Sequence, residues 1–262
     1  MKASVNMFFA CFVFICMSLV AWSTCRFTTK KQTTNTLVVG TVGGYAPFVS
    51  MNEKGDYEGF DIDVAQALAA KLGKTLVLQD LGSMAPLLMT LEQGSVDVVI
   101  WDMTITSERL QKFAMVSYQN TEIKTTNPLI FWQKVPAGIT TLADLKGMTV
   151  CVEPTSAQSS IINKYRDIFI LPTEKIDDAL LNIQYGKADA AFVDQAIAQK
   201  FKAKYPEIQI VDMPLDEEDF LRGSGIMIKK NNTELIRNVE AAVEQLKKSG
   251  AIATFETKWG LA

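Results

Sequence analysis

The residues best able to do chemistry in this chain gather behind one apolar run. From Asp97 to Arg109 the sequence passes from Val98, Val99 and Ile100 through Trp101, Asp102 and Met103 to the hydroxyl-bearing Thr104, Thr106 and Ser107, and closes on Glu108 and Arg109. An arginine placed there suits a carboxylate, because its guanidinium makes two parallel charge-assisted hydrogen bonds. A plainer reading, a Thr/Ser helix cap followed by a solvated Glu-Arg pair, fits the stretch alone equally well. Elsewhere, Asp194 could take an ammonium, Thr104 could serve either charge, and Tyr45 offers an aromatic wall. Glu153, Ser156 and Ala157 precede a helix whose free N–H groups favour an anion. Such a set suits a small zwitterion and is poor in catalysts. The chain contains no histidine, which excludes a Ser-His-Asp or Cys-His arrangement and a histidine-rich zinc site. Gly40 to Gly44 lacks the spacing of a phosphate-binding loop. No cofactor or metal is expected.

These residues need elements to position them, and the patterning supplies βα units with a largely parallel sheet. Predicted strands are Leu37 to Val42, Thr75 to Leu78, a buried one at Val98 to Ile100, Asn127 to Trp132, Thr149 to Val152, Ala188 to Val193, Ile208 to Val211 and Gly223 to Ile228. Asn52 to Gly55 reads as a turn. A helix opens at Gly59-Phe60-Asp61-Ile62-Asp63, with Ile62, Ala65, Leu68, Ala69 and Leu72 at helical spacing. Asp61 is suited to be its N-cap and Asp63 to its positive end, which favours structural roles for both over ligand contact. Further helices are expected over Pro86 to Gln93, Ala157 to Tyr165, Ile176 to Gly186, Gln195 to Tyr205, Thr233 to Lys248 and Ala251 to Trp259, with Ala241, Leu246 and Ile252 as core. Asp189 to Asp194 echoes Asp97 to Asp102, so two halves each send a strand toward a polar end.

The 262 residues suffice for one or two domains, and 48% hydrophobic with 21% charged residues leaves much to bury. A formal charge of -3 without a long basic run argues against nucleic acid as a partner. The first 25 residues differ in kind. Lys2 precedes an uncharged apolar run from Phe8 to Trp22, the pattern of a secretory signal peptide. Cys25 after Trp22-Ser23-Thr24 resembles the end of a lipoprotein signal, although Trp22 stands where a small aliphatic residue is preferred; simple cleavage and an uncleaved anchor are the alternatives. Cleavage before Cys25 would leave 25 basic against 29 acidic residues and one other cysteine, Cys151, so no disulfide framework is expected in the folded part. The polar stretch 26–36 reads as a flexible tether.

Four motifs then fall into register. Tyr45-Ala46-Pro47-Phe48, Gly59 to Asp63, Thr104 to Arg109 and Asp189 to Asp194 follow the order and spacing of bacterial periplasmic solute-binding proteins of family 3, which serve polar amino acid ABC importers. The resemblance spans Leu37 to Gly260 and is greatest to arginine-binding members. It implies an α/β fold of the periplasmic binding protein type II, two lobes each with a mostly parallel sheet flanked by helices. Lobe 1 would comprise 37–125 and 224–262 and lobe 2 would comprise 126–223, joined by hinge segments near Lys124 to Leu129 and Phe220 to Gly225.

The resemblance also implies a function: extracytoplasmic, non-enzymatic capture of a polar or basic amino acid, most of all L-arginine, by hinge closure. The partner would be an ABC transporter permease, the location the periplasm, and any membrane contact only through the signal or a lipid on Cys25. Arg109 would bind the α-carboxylate with backbone N–H groups at Thr104 and near Ala157. Asp194 would bind the α-ammonium with the Thr104 hydroxyl and the Asp102 carbonyl, and Tyr45 would pack on the side chain. Met103 and Ser156 complete the expected site. Where basic-residue binders of the family carry an acid after the first strand, this chain has Val42; Trp101 and Asp102 replace two serines, and Glu153 an apolar contact. Glu153 or Asp102 is therefore expected to face a guanidinium, with Trp101 or Tyr45 stacked on it. A solvated Glu153 and a plain core role for Trp101 are the alternatives. An enzyme on the same fold, such as a cyclohexadienyl dehydratase with Glu153 as general acid, is the rival function, and it requires a raised pKa that sequence cannot supply. A sensor domain is less favoured, for want of a further spanning segment or output domain.

Overall fold

Short β-branched runs make the strands of this protein, and amphipathic segments between them make helices that cover the sheets. The computed structural model describes residues 35–119 and 123–261. The expected signal segment, Cys25 and nearly all of the tether lie outside the described residues. The first half contains β1 (Thr36–Thr41), the short hairpin β2 (Ser50–Met51) and β3 (Tyr57–Glu58), α1 (Phe60–Lys71), β4 (Thr75–Asp80), α2 (Met84–Gln93), β5 (Val98–Val99), α3 (Ser107–Lys112) and β6 (Phe113–Ser117). The second contains β7 (Thr126–Phe131), β8 (Thr149–Val152), α4 (Ala157–Ile162), β9 (Phe169–Pro172), α5 (Ile176–Gln184), β10 (Ala190–Phe192), α6 (Gln195–Lys204) and β11 (Gln209–Pro214). The chain then returns with β12 (Gly225–Lys229), α7 (Thr233–Lys248) and α8 (Ala251–Lys258).

Two five-stranded sheets result, ordered β4-β1-β5-β12-β6 and β11-β7-β10-β8-β9. In the first sheet β12 alone runs against its neighbours, and in the second β7 alone does. Each reversed strand is the one the chain forms on arriving from the other sheet. The fold is thus the two-lobed α/β architecture, each lobe mostly parallel. Where the chain passes between sheets, Lys124 and Leu221 pair, each backbone N–H donating to the other's carbonyl at 2.9 and 3.1 Å. Among the described residues no helix is long and apolar enough to cross a membrane.

Local chemistry corrects several expectations. Gly59, not Asp61, is the N-cap of α1. Its φ of 137° suits only glycine, and a Cβ there would stand 2.0 Å from the Phe48 carbonyl oxygen. Asp61 is instead buried inside the first turn. On α7 the buried positions are Leu235, Val239, Ala242, Val243 and Leu246, a stripe that leaves Ala241 exposed. Leu246 and Ile252 do lie in the core. The first strand starts at Thr36, which pairs with Thr75, so the tether is shorter than its sequence suggests. The β2–β3 hairpin, β6 and β9 had no counterpart in the sequence reading, and α4 ends three residues early.

Candidate functional site

β5 delivers Ile100 and Trp101 into the core and then the chain bends. Trp101 is 4% exposed, with its ring centroid 5.2 Å from that of Tyr45. It belongs to the core, as the plainer expectation had it, and also lines the cavity described below. Its indole Nε1 is buried and, among the described residues, has no hydrogen-bond partner. Asp102 follows with φ 41°, a left-handed conformation that non-glycine residues adopt only when their surroundings hold it. Its amide donates to Asp61 Oδ2 at 2.6 Å, and its carboxylate accepts a short bond from the Ser224 hydroxyl.

The Thr106 hydroxyl accepts from the Arg109 amide at 3.2 Å and caps α3, while Glu108 is exposed and pairs with Lys112 at 3.4 Å. The capping reading of this stretch therefore holds for Thr106, and the cap turns Arg109 inward. That side chain is 8% exposed. It donates to the Thr104 carbonyl at 2.8 Å, to the Thr155 carbonyl at 3.1 Å and to the Met84 sulfur at 3.4 Å. Among the described residues both N–H groups of Nη2 and one of Nη1 are thus engaged, leaving Nε–H and one Nη1–H on different sides of the guanidinium. Because Thr155 follows β8, the guanidinium ties the two halves together.

From the second half, β8 ends at Glu153, and Ser156 caps α4 by accepting from the Ser159 amide at 3.0 Å while donating to the Glu153 carbonyl at 2.7 Å. Two residues beyond β10 stands Asp194, the N-cap of α6. One oxygen of Asp194 accepts from the Ala196 amide at 2.9 Å, and the other lies 3.9 Å from Lys124 Nζ.

All ten residues singled out from sequence line one narrow cavity of about 20 Å³, room for about one or two waters. These are Tyr45, the run Trp101, Asp102, Met103 and Thr104, then Arg109, Glu153, Ser156, Ala157 and Asp194. Two further lining residues escaped the sequence reading, Met84 and Gln158. Met84 lies just ahead of the segment read as a helix, and Gln158 looks like an ordinary first-turn polar residue. Only the fold shows Gln158 buried, its amide donating to Asn127 Oδ1 at 3.1 Å.

The cavity is rich in carboxylates that burial makes reluctant to ionise. Glu153 is pushed up to about 8 by burial, against the lowering influence of Arg109 and with a smaller rise from Glu174. Asp102 is raised well above its ordinary range by burial and by the charges of Asp194 and Asp61, with Ser224 and Lys124 opposing. Burial lowers Arg109 to about 10, offset in part by Glu153, Glu108 and Asp102. Tyr45 is raised well above its ordinary value by burial, with the acids Asp194, Glu153, Asp102 and Asp61 adding to the rise. Glu153 is therefore a half-buried, desolvated acid and not a solvated loop acid.

Two mostly parallel lobes with a charged cavity where strand ends meet define a ligand-capturing protein of the periplasmic binding class. The chain belongs to the bacterial extracellular solute-binding proteins, family 3, whose model matches residues 37–262. It is 31% identical over 226 residues to the "Probable ABC transporter arginine-binding protein ArtJ" of Chlamydia trachomatis serovar D, covering 86% of this chain and 85% of that one. It is 30% identical to the arginine-binding extracellular protein ArtP of Bacillus subtilis, covering 85% of each. An ancestral arginine-binding protein solved bound to arginine superposes with a TM-score of 0.76 at 29% identity, covering 86% of this chain and 98% of that one, and an ancestral arginine-binding protein solved bound to glutamine superposes with the same TM-score and identity.

Proposed function

We propose that this protein captures a cationic amino acid, L-arginine above all, outside the cytoplasm and presents it to an ABC transporter permease. The charge balance of the cavity carries the reading. Asp102, Glu153 and Asp194 face Arg109, with Lys124 beside Asp194. Burial makes Asp102 and Glu153 reluctant to ionise without a partner, and if all three acids are ionised they carry one negative charge more than Arg109 and Lys124 offset. A zwitterion with a cationic side chain carries one positive charge and completes the balance, whereas a neutral side chain leaves a buried carboxylate unpaired.

In this reading Arg109 takes the α-carboxylate by exchanging its Nη2 bonds to the Thr155 carbonyl and the Met84 sulfur for the ligand, with backbone N–H groups at Thr104 and near Ala157. Asp194, the Thr104 hydroxyl and the Asp102 carbonyl take the α-ammonium. Glu153 or Asp102 faces the guanidinium, and Tyr45 or Trp101 stacks against it. Met103 and Ser156 shape the walls. The segments near Lys124 to Leu129 and Phe220 to Gly225 act as the hinge, and the Lys124–Leu221 pairing supports this by keeping them side by side. A cavity of about 20 Å³ admits no amino acid without such opening. The named ligands of ArtJ, ArtP and the arginine-bound ancestral protein support arginine, and the glutamine-bound ancestral structure is the reason ligand charge has to be tested.

Calorimetry with arginine, lysine, citrulline and glutamine tests the reading. Arginine should bind most tightly and at 100 times its dissociation constant should add about 2.7 kcal/mol of stability. Equal affinity for arginine and its neutral isostere citrulline would overturn it. One observation favours a second function. Glu153 at about 8 has the raised pKa that a general acid needs, as in a cyclohexadienyl dehydratase. Turnover of prephenate or arogenate, with no amino acid bound, would establish that reading instead.

A further inference from the structure

Asp61 takes no part in the ligand contacts above, yet it is the most thoroughly buried acid beside them, at 1% exposed. One of its oxygens accepts from the Tyr118 hydroxyl at 2.7 Å and the other from the Asp102 amide at 2.6 Å. Tyr118 is wholly buried, stacks on Phe60 with ring centroids 5.8 Å apart, and follows β6 just before the chain leaves the first sheet. Its own N–H donates to the Ser224 carbonyl at 3.4 Å. Ser224 lies where the chain returns, bonds the Asp102 carboxylate through its hydroxyl, and pairs with Thr104. A single buried carboxylate is thus linked to the cavity and to both passages between the sheets.

We propose that Asp61 is a positioning residue for ligand recognition: it holds Asp102 in its left-handed conformation through the Asp102 amide, and its charge sets the pH at which the Asp102 carboxylate is available to a cation. The ligand half of this proposal rests on the arginine reading. The groups that Asp61 acts on are Tyr118, Asp102 and Tyr45, while Asp63 on the same helix is engaged by Lys258 and Trp259 at 2.7 Å each. Those acting on Asp102 are Asp61, Asp194, Lys124 and Ser224, and Asp102 in turn acts on Tyr45, Arg109 and Tyr118. Burial holds Asp61 near 7 and Asp102 well above its ordinary range, so the two carboxylates titrate in competition.

Asp61→Asn separates charge from geometry. Its amide oxygen can accept from the Asp102 N–H and its NH2 can donate to the Tyr118 oxygen, so both bonds persist without the charge. Carbon-13 NMR of the Asp102 carboxyl in ligand-free protein, together with arginine affinity by calorimetry, would be followed from pH 5 to 9. In Asp61→Asn the Asp102 midpoint should fall by about half a pH unit or more, and the rise of arginine affinity with pH should move down with it. Asp61→Ala, checked for folding by circular dichroism, should lose about tenfold or more in affinity at pH 8, which Asp61→Asn restores. An Asp102 midpoint that is the same in wild type and Asp61→Asn overturns the proposal, whether or not Asp61→Ala folds. If that midpoint shifts but wild type binds no arginine, the arginine reading fails and the control of Asp102 by Asp61 stands.

Discussion

Replacing Asp61 by asparagine should flatten the pH dependence of stability. Burial raises this carboxyl from its ordinary 3.8 to about 7, even though bonds from Tyr118 and the Asp102 amide favour its charged form. Between those values the native protein keeps a proton that the unfolded chain has released. Rising pH therefore favours unfolding, by about 1.36 kcal/mol per pH unit. Above about 7 both states are ionised and the loss stops growing. From pH 5 to 8 the wild type should thus lose about 3 kcal/mol that the variant keeps. At about 2–4 °C per kcal/mol for a domain of this size, the gap between their melting temperatures should widen by about 6–12 °C. Urea and thermal unfolding of ligand-free protein at pH 5, 6, 7 and 8 measure it; Glu153 cancels in the difference, while Asp102, which Asp61 raises, titrates lower in the variant and widens the gap in the same direction. Parallel stability curves would show that Asp61 is already ionised at pH 5 and would refute the reasoning.

Glu153→Gln and Asp102→Asn should each weaken arginine binding, the one facing the guanidinium by about 3–5 kcal/mol, as expected when one partner of a buried pair is removed. Unchanged calorimetric affinity in both would rule out a carboxylate contact with the side chain. Gly59→Ala should destabilise the fold by about 3 kcal/mol or more in chemical denaturation, because its Cβ would lie 2.0 Å from the Phe48 oxygen in a conformation closed to alanine. Full stability of that variant would mean that the entry to α1 shifts freely.

Much of the fold was legible because burial imposes periodicity. The strand at Thr149–Val152 and the helix at Thr233–Lys248 were read with the residues the structure assigns them, since both carry long or fully buried apolar patterns. The strands that escaped are short or partly exposed: Phe169–Pro172 has no fully buried residue, and Ser50–Met51 is too brief for any period. The polar ends of apolar runs marked Asp102 and Asp194, but that the ten residues converge was implied only by the resemblance to the family, not by their spacing. Asp61 was misread for a physical reason. Its position in the first turn is equally suited to a cap, and only the approach of Tyr118 and Asp102, 57 and 41 residues away, shows what its oxygens bind. Gln158 and Met84 carry no local signal at all; tertiary packing alone brings them to the cavity.

The reluctance of Glu153 to ionise bears on how the proposed site would tell arginine from glutamine. Closure around a cationic side chain leaves Glu153 charged and paired, so no proton need be taken up. Closure around a neutral side chain leaves that carboxylate desolvated, and it must first bind a proton, since its pKa rises from the ordinary 4.5 to about 8. Between those values each unit of rising pH should therefore weaken glutamine relative to arginine by up to about tenfold. Competition calorimetry at pH 6 and pH 8 reads the ratio directly. A preference for arginine that grows with pH, and that stops growing in Glu153→Gln, ties selectivity to this carboxyl. A ratio that is flat across that range would mean that the ligand side chain lies away from Glu153, whereas a preference that still grows with pH in Glu153→Gln would assign the choice to Asp102.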